Sequence, residues 1–134
     1  MPVPGTLRKR PVDEVEIASM LERQFNLPRI ETLAYLKLLA RAELTLQELA
    51  EELDVTGTES ASLAGRMVEK GLAIRASGSV ETLLPLHPRL VLTNIFKMFE
   101  KDLVQSLRDR RATVDRVVNL LTPIYEEQEK SPEA

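Results

Sequence analysis

The chain has 134 residues, enough for one domain with an appendage, and its 43% hydrophobic content supports a core that must be largely aliphatic, since there are three Phe, two Tyr and no Trp. No cysteine is present, which rules out disulfides, thiolate zinc sites and cysteine nucleophiles, and the single histidine, His87, rules out a multi-histidine metal site. The net charge of −3 is not that of a generic nucleic-acid binder, and no apolar run approaches the ~20 residues a membrane span needs.

Residues 1–11 hold Arg8, Lys9 and Arg10, three prolines, one glycine and no acid. This composition predicts a flexible basic arm. No apolar stretch follows its basic residues, so it does not read as a secretory signal, and a cytoplasmic setting is expected. Such an arm can grip phosphates or enter a minor groove; it can equally be a solubilising tail. The following residues, 12–76, carry 12 acids against 7 bases, so the body of the chain is acidic.

Asp13 is a plausible N-cap with Glu16 three residues on, and Val15, Ile17, Met20, Leu21 and Phe25 offer an apolar face for a first helix. Asn26, Leu27 and Pro28 interrupt it, and Pro28 suits the first turn of a second helix. There Ile30, Leu33, Ala34, Leu36, Leu38 and Leu39 predict burial on much of the circumference. Thr45 and Glu48 make a capping-box pattern, and Leu46, Leu49, Ala50 and Leu53 fall at i, i+3, i+4 and i+7 of a short third helix. Thr56, Gly57, Thr58 and Glu59 give a turn and a second box-like start. The next helix is expected over 58–70, with Leu63 and Met67 inward and Gly71 as its left-handed stop.

Residues 72–76 and 80–84 bracket Ser77, Gly78 and Ser79 and predict a β-hairpin with a polar tip. Pro88 opens a long last helix over 87–127, with His87 beside its N-cap, and residues 128–134 read as a frayed tail. Leu92, Phe96, Phe99 and Leu103 are spaced 4, 3, 4. After a stutter, Leu107, Arg110, Val114, Val117, Leu121 and Ile124 continue at 3, 4, 3, 4, 3. This near-heptad seam predicts a dimerisation helix. Pro123 should kink or end it.

Three short helices followed by a hairpin make a winged helix-turn-helix domain over 12–86, in a mainly α fold. In this arrangement the 58–70 helix is the reading helix, sized for a major groove, and the hairpin is a wing at the phosphate backbone. The segments IETLAYLKLL (30–39), TLQELAEE (45–52), Val55 and EKGL (69–72) resemble the winged helix-turn-helix of TrmB-type archaeal transcription regulators. The likeness runs without a gap from Leu27 to Leu72 and more loosely through the wing to Tyr125, about 100 residues in all. It implies binding to double-stranded DNA as a homodimer, with the helix after the wing pairing two subunits. Longer members carry a C-terminal sugar-binding domain; this chain ends before one would begin, so sugar sensing is not expected.

On that reading the DNA-contacting residues are Arg8, Lys9 and Arg10 of the arm, Thr56, Thr58, Ser60, Ser62, Arg66 and Lys70 of the reading helix, and Arg75, Ser77 and Ser79 of the wing. The dimer interface is Leu92, Phe96, Phe99, Leu103, Leu107, Val114, Val117, Leu121 and Ile124. One feature of the sequence departs from the pattern. Residues 56–62 contain no base and one acid, Glu59, whereas a reading helix commonly presents Arg, Lys, Asn or Gln early. Two functions therefore remain open: a dimeric DNA-binding regulator or chromatin-associated protein, found with the nucleoid, or an acidic winged-helix module docking on a protein of transcription or chromosome machinery. No Gly-rich phosphate loop, metal-ligand cluster or nucleophile with its base is visible, so neither enzymatic activity nor a cofactor is expected. His87 reads as a helix-entry residue, and Tyr35 as a core ring with its hydroxyl at the edge.

Overall fold

A computed structural model describes residues 12–130 of the chain. The arm residues Arg8, Lys9 and Arg10, and the end of the tail, lie outside the described residues. The chain divides into two units, Met1–Lys97 and Met98–Ala134.

In the first unit the helices begin where the sequence supplies caps. Helix α1 (Glu14–Phe25) is capped by Asp13, whose carboxylate accepts from the Glu16 N–H at 3.0 Å. Asn26 closes it in the left-handed region, at φ 58°. Helix α2 (Arg29–Arg41) starts one residue after Pro28, which serves as the N-cap rather than the first helical residue and accepts from the Glu31 N–H through its carbonyl. Strand β1 (Leu44–Thr45) leads into helix α3 (Leu46–Leu53), where Thr45 and Glu48 form the expected reciprocal capping box. Helix α4 (Gly57–Glu69) repeats the device with Thr56 and Glu59.

Helix α4 ends in a Schellman arrangement. Gly71 sits at φ 77°, its N–H bonds to the Val68 carbonyl, and the Leu72 N–H bonds back to Met67. Strands β2 (Ala73–Ala76) and β3 (Thr82–Pro85) are the wing, slightly narrower than the sequence suggested. They pair antiparallel with Ile74 opposite Leu84. Strand β1 adds to the other edge of β3, with Leu44 opposite Leu83, giving the order β1-β3-β2. This edge was not foreseen. Two residues carry no alternation to read.

Leu38, Leu44, Leu49, Leu63, Met67, Leu72, Leu83 and Val91 are fully buried and form one aliphatic core, against which Leu21 and Phe25 of α1 pack. Tyr35 is buried among them, and its hydroxyl donates to the Leu86 carbonyl at 2.7 Å. Two apolar expectations fail in α1: Val15 and Met20 are exposed, and Ala18 is the buried residue. Leu39 of α2 is also exposed, because Glu31 and Thr32 take part of the buried circumference.

The last helix, α5, spans Pro88–Lys130. His87 enters it as expected, its Nδ1 accepting from the Arg89 N–H at 3.0 Å. Pro123 does not end the helix, which also runs past the boundary expected at 127. Proline removes the donor that would reach Asn119, but Asn119 is exposed, so water can serve its carbonyl. The second unit consists, among the described residues, of this helix from Met98 onward.

Candidate nucleic-acid interface

Helices α3 and α4 form the helix-turn-helix, and α4 owes its placement to one buried face. Ser60, Leu63, Ala64 and Met67 point into the core. What remains outward along the first half of α4 is a surface of short side chains: Gly57, Thr58, Ala61 and Ser62 are all exposed. A Cβ on Gly57 would meet nothing within 4 Å. Such a surface lets another backbone approach closely, and it carries hydroxyls and one carboxylate, that of the exposed Glu59.

The structure sorts the expected contact residues. Thr58 and Ser62 are exposed on the outer face of α4, and Ser77 and Ser79 are exposed at the wing tip. Ser60 does not belong with them. It is fully buried, and its hydroxyl donates to the Leu46 carbonyl at 2.7 Å, tying α4 to the start of α3. The Thr56 hydroxyl is likewise committed, accepting from the Glu59 N–H at 3.1 Å.

The basic residues of the surface are all paired. Arg66 and Lys70 converge on Glu31 of α2, with Nε to Oε2 at 3.1 Å and Nζ to Oε1 at 2.7 Å. Glu31 is fully buried, a feature sequence reading missed because an isolated acid in a helix ordinarily reads as solvated. A second guanidinium nitrogen of Arg66 donates to the Ser62 hydroxyl at 2.9 Å. Arg75 on the wing pairs with Glu81 across the hairpin at 2.5 Å.

The acids are also partly committed. The Glu59 carboxyl is held below the ordinary glutamate value by the Thr56 backbone N–H and then by the Thr56 hydroxyl. The Glu48 carboxyl is lowered by the Thr45 backbone N–H, with Arg41 adding a smaller pull. Both serve helix N-termini, where negative charge is favoured. They are thus less available to a partner than their positions in the sequence suggest.

The expected seam residues are exposed apart from Phe99, which is half-buried. In the first unit Leu92 and Phe96 lie near the start of α5, and the Phe96 ring meets Phe25 edge-on at 6.4 Å between centroids. In the second unit Leu103, Leu107, Val114, Val117, Leu121 and Ile124 are exposed, and Val118, Leu120 and Tyr125 widen the apolar surface towards its end. Among the described residues no group of three or more His, Asp or Glu could hold a metal ion, and no helix is long and apolar enough to cross a membrane.

No family model matches the chain. Among characterised proteins it is similar to the DNA-binding HTH-type transcriptional repressor TrmBL2 of Thermococcus kodakarensis, at 24% identity over 110 residues, which take in 82% of this chain and 42% of the relative. The chain therefore spans less than half the length of that relative. Among solved structures it resembles TrmBL2, described as an archaeal chromatin protein with a novel mode of DNA binding, at a TM-score of 0.71 and 23% identity over 84% of this chain and 43% of the other. It also resembles a variant of S. aureus MepR bound to an oligodeoxyribonucleotide, at a TM-score of 0.51 and 19% identity over 84% of this chain and 90% of the other. These findings support the resemblance to TrmB-type archaeal regulators read from the sequence, and the structural likenesses show the winged-helix fold.

Proposed function

We propose that the protein is a dimeric DNA-binding regulator or chromatin-associated protein. It would present the first half of α4 to a major groove and its wing to the phosphate backbone. The observation that carries this reading is the exposed, short-side-chain face of Thr58 and Ser62 on a helix whose opposite face is locked into a winged-helix core. The TrmBL2 likeness supports it. In this reading Thr58 and Ser62 approach base edges and phosphates closely, Ser77 and Ser79 serve the backbone, and Arg8, Lys9 and Arg10 add positive charge to a domain in which acids outnumber bases. Two copies pair through the apolar seam of α5, since an unpaired helix with so much exposed apolar surface is a solubility liability. Pairing doubles the phosphate contacts and fixes half-site spacing.

Titration of labelled random-sequence duplex by fluorescence anisotropy, at low and moderate salt, tests the reading. Binding that weakens steeply with salt is the expected result, because counterion release drives it. Absence of binding at low salt removes it.

A second reading is favoured by the pairing of Arg66, Lys70 and Arg75 with Glu31 and Glu81, which leaves the winged-helix face without a free cation among these three. On this reading the domain docks on a protein of transcription or chromosome machinery. Reversing the charge of Glu51 and Glu52 would then release that partner while leaving nucleic acid unaffected.

A further inference from the structure

We propose that Glu31 is a specificity-determining residue: by holding Arg66 and Lys70, it keeps the reading helix from gripping DNA phosphates indiscriminately. This rests on the DNA-binding reading above.

Arg66 is the only basic residue within α4, and Lys70 follows as its C-cap. Both end on one carboxylate, and each of its oxygens receives its own cation, at 3.1 Å and 2.7 Å. The carboxylate is fully buried while the side chains of Arg66 and Lys70 keep 46% and 23% exposure, so the asymmetry lies with the acid. A solvent-exposed pair would exchange its partner for a phosphate at little cost. A buried carboxylate cannot, because losing its cations leaves an uncompensated charge out of water. The cations are therefore retained by the burial of Glu31 rather than by surface attraction. Ser62 reinforces the geometry by accepting from the second guanidinium nitrogen, which directs Arg66 along its own helix.

The cluster carries one net positive charge where the two cations alone would carry two. Each cation engaged with a phosphate adds about 0.9 to the log–log salt slope and contributes affinity that carries no sequence information. Withholding both leaves contact to Thr58 and Ser62, which depends on close fit. Glu31 thus trades sequence-independent grip for dependence on what the short side chains meet.

The test compares wild type, Glu31→Gln and the triple variant Glu31→Gln/Arg66→Gln/Lys70→Gln, each titrated with random-sequence duplex across a salt series. Glu31→Gln should tighten binding about tenfold at low salt and steepen the salt slope by about 0.9 for each of the two cations freed, and the triple variant should lose that gain. Lys70→Gln alone provides a second measurement that leaves Arg66 on the carboxylate. It should change affinity less than about twofold, because Lys70 is not at a phosphate in the wild type. A Lys70→Gln variant that binds several-fold more weakly with a shallower slope overturns the inference. So does a folded Glu31→Gln variant that binds as wild type does. If neither wild type nor Glu31→Gln binds duplex, the DNA-binding reading falls together with this one; wild-type binding with an unchanged Glu31→Gln defeats this one alone.

Discussion

Asn94, in the second turn of α5, donates its side-chain amide to the carbonyl of Gly71 at 2.9 Å, and it fills the space that a Cβ on Gly71 would need. The contact joins the end of α4, the root of the wing and the start of α5 at one point. Gly71 is required there twice over. Its φ of 77° is costly for any residue with a side chain, and its neighbour leaves no room for one. Gly71→Ala should destabilise the protein by at least about 2 kcal/mol. Adding Asn94→Ala should recover the part due to the clash and leave the part due to backbone strain. Urea melts of the two single variants and the double variant measure the coupling, and strictly additive effects would contradict this account.

Thr32 is fully buried in α2, and its hydroxyl has no hydrogen-bond partner among the described residues. A buried hydroxyl left unpaired carries its desolvation penalty without return. Thr32→Val keeps the branched shape and removes the penalty, so it should stabilise by about 1 kcal/mol. A thermal melt of the variant that falls below wild type would mean that the hydroxyl has a partner after all.

The helix starts were legible because caps are local. Asp13 with Glu16, Thr45 with Glu48, and Thr56 with Glu59 each lie three residues apart, and Gly71 announces its own conformation. What escaped reading is what depends on distant partners. Glu31 meets Arg66 and Lys70 from 35 and 39 positions away. Ser60 looks like a surface hydroxyl until the Leu46 carbonyl, 14 positions back, is brought beside it. Strand β1 exists only because β3 offers an edge. Val15 and Met20 show the converse error: hydropathy assigns them to a core face, yet the tertiary packing covers Ala18 instead. The sequence thus placed Thr58, Ser62, Ser77 and Ser79 at the surface, where the structure has them exposed, while the state of the neighbouring charges was hidden.

The two capping boxes predict an acid-sensitive stability. Glu48 and Glu59 both have folded-state values below the ordinary 4.5, each chiefly through the backbone N–H it accepts from. A carboxyl depressed on folding contributes stability that is complete above its unfolded value and is lost as pH falls through the folded one. The window therefore opens below about 4.5, and neutral to alkaline pH leaves this contribution intact. Replacing both by Gln keeps an acceptor for each N–H but removes the titration. The difference in urea midpoint between pH 7 and pH 3 should shrink in the double variant. An unchanged difference would assign the acid sensitivity to other carboxylates.

Arg110 occupies a seam position between Leu107 and Val114 on α5, where its guanidinium donates to the Ser106 hydroxyl at 2.8 Å within its own helix. In a paired seam a cation at such a position specifies register and costs stability, because burying it requires a counter-charge or a route to water. No acid shares the stripe formed by Leu107, Val114, Val117, Leu121 and Ile124. Parallel in-register pairing would place Arg110 against its own copy, so the arrangement favours a staggered or antiparallel mate. Arg110→Leu removes the restriction and extends the apolar stripe without a break. Self-association should tighten about tenfold, the effect of burying one further aliphatic side chain at less than its full transfer energy. Sedimentation velocity across a concentration series reads this directly. A variant that associates more weakly than wild type would mean that Arg110 finds an acid across the interface, and a wild type monomeric at every concentration would deny α5 its pairing role.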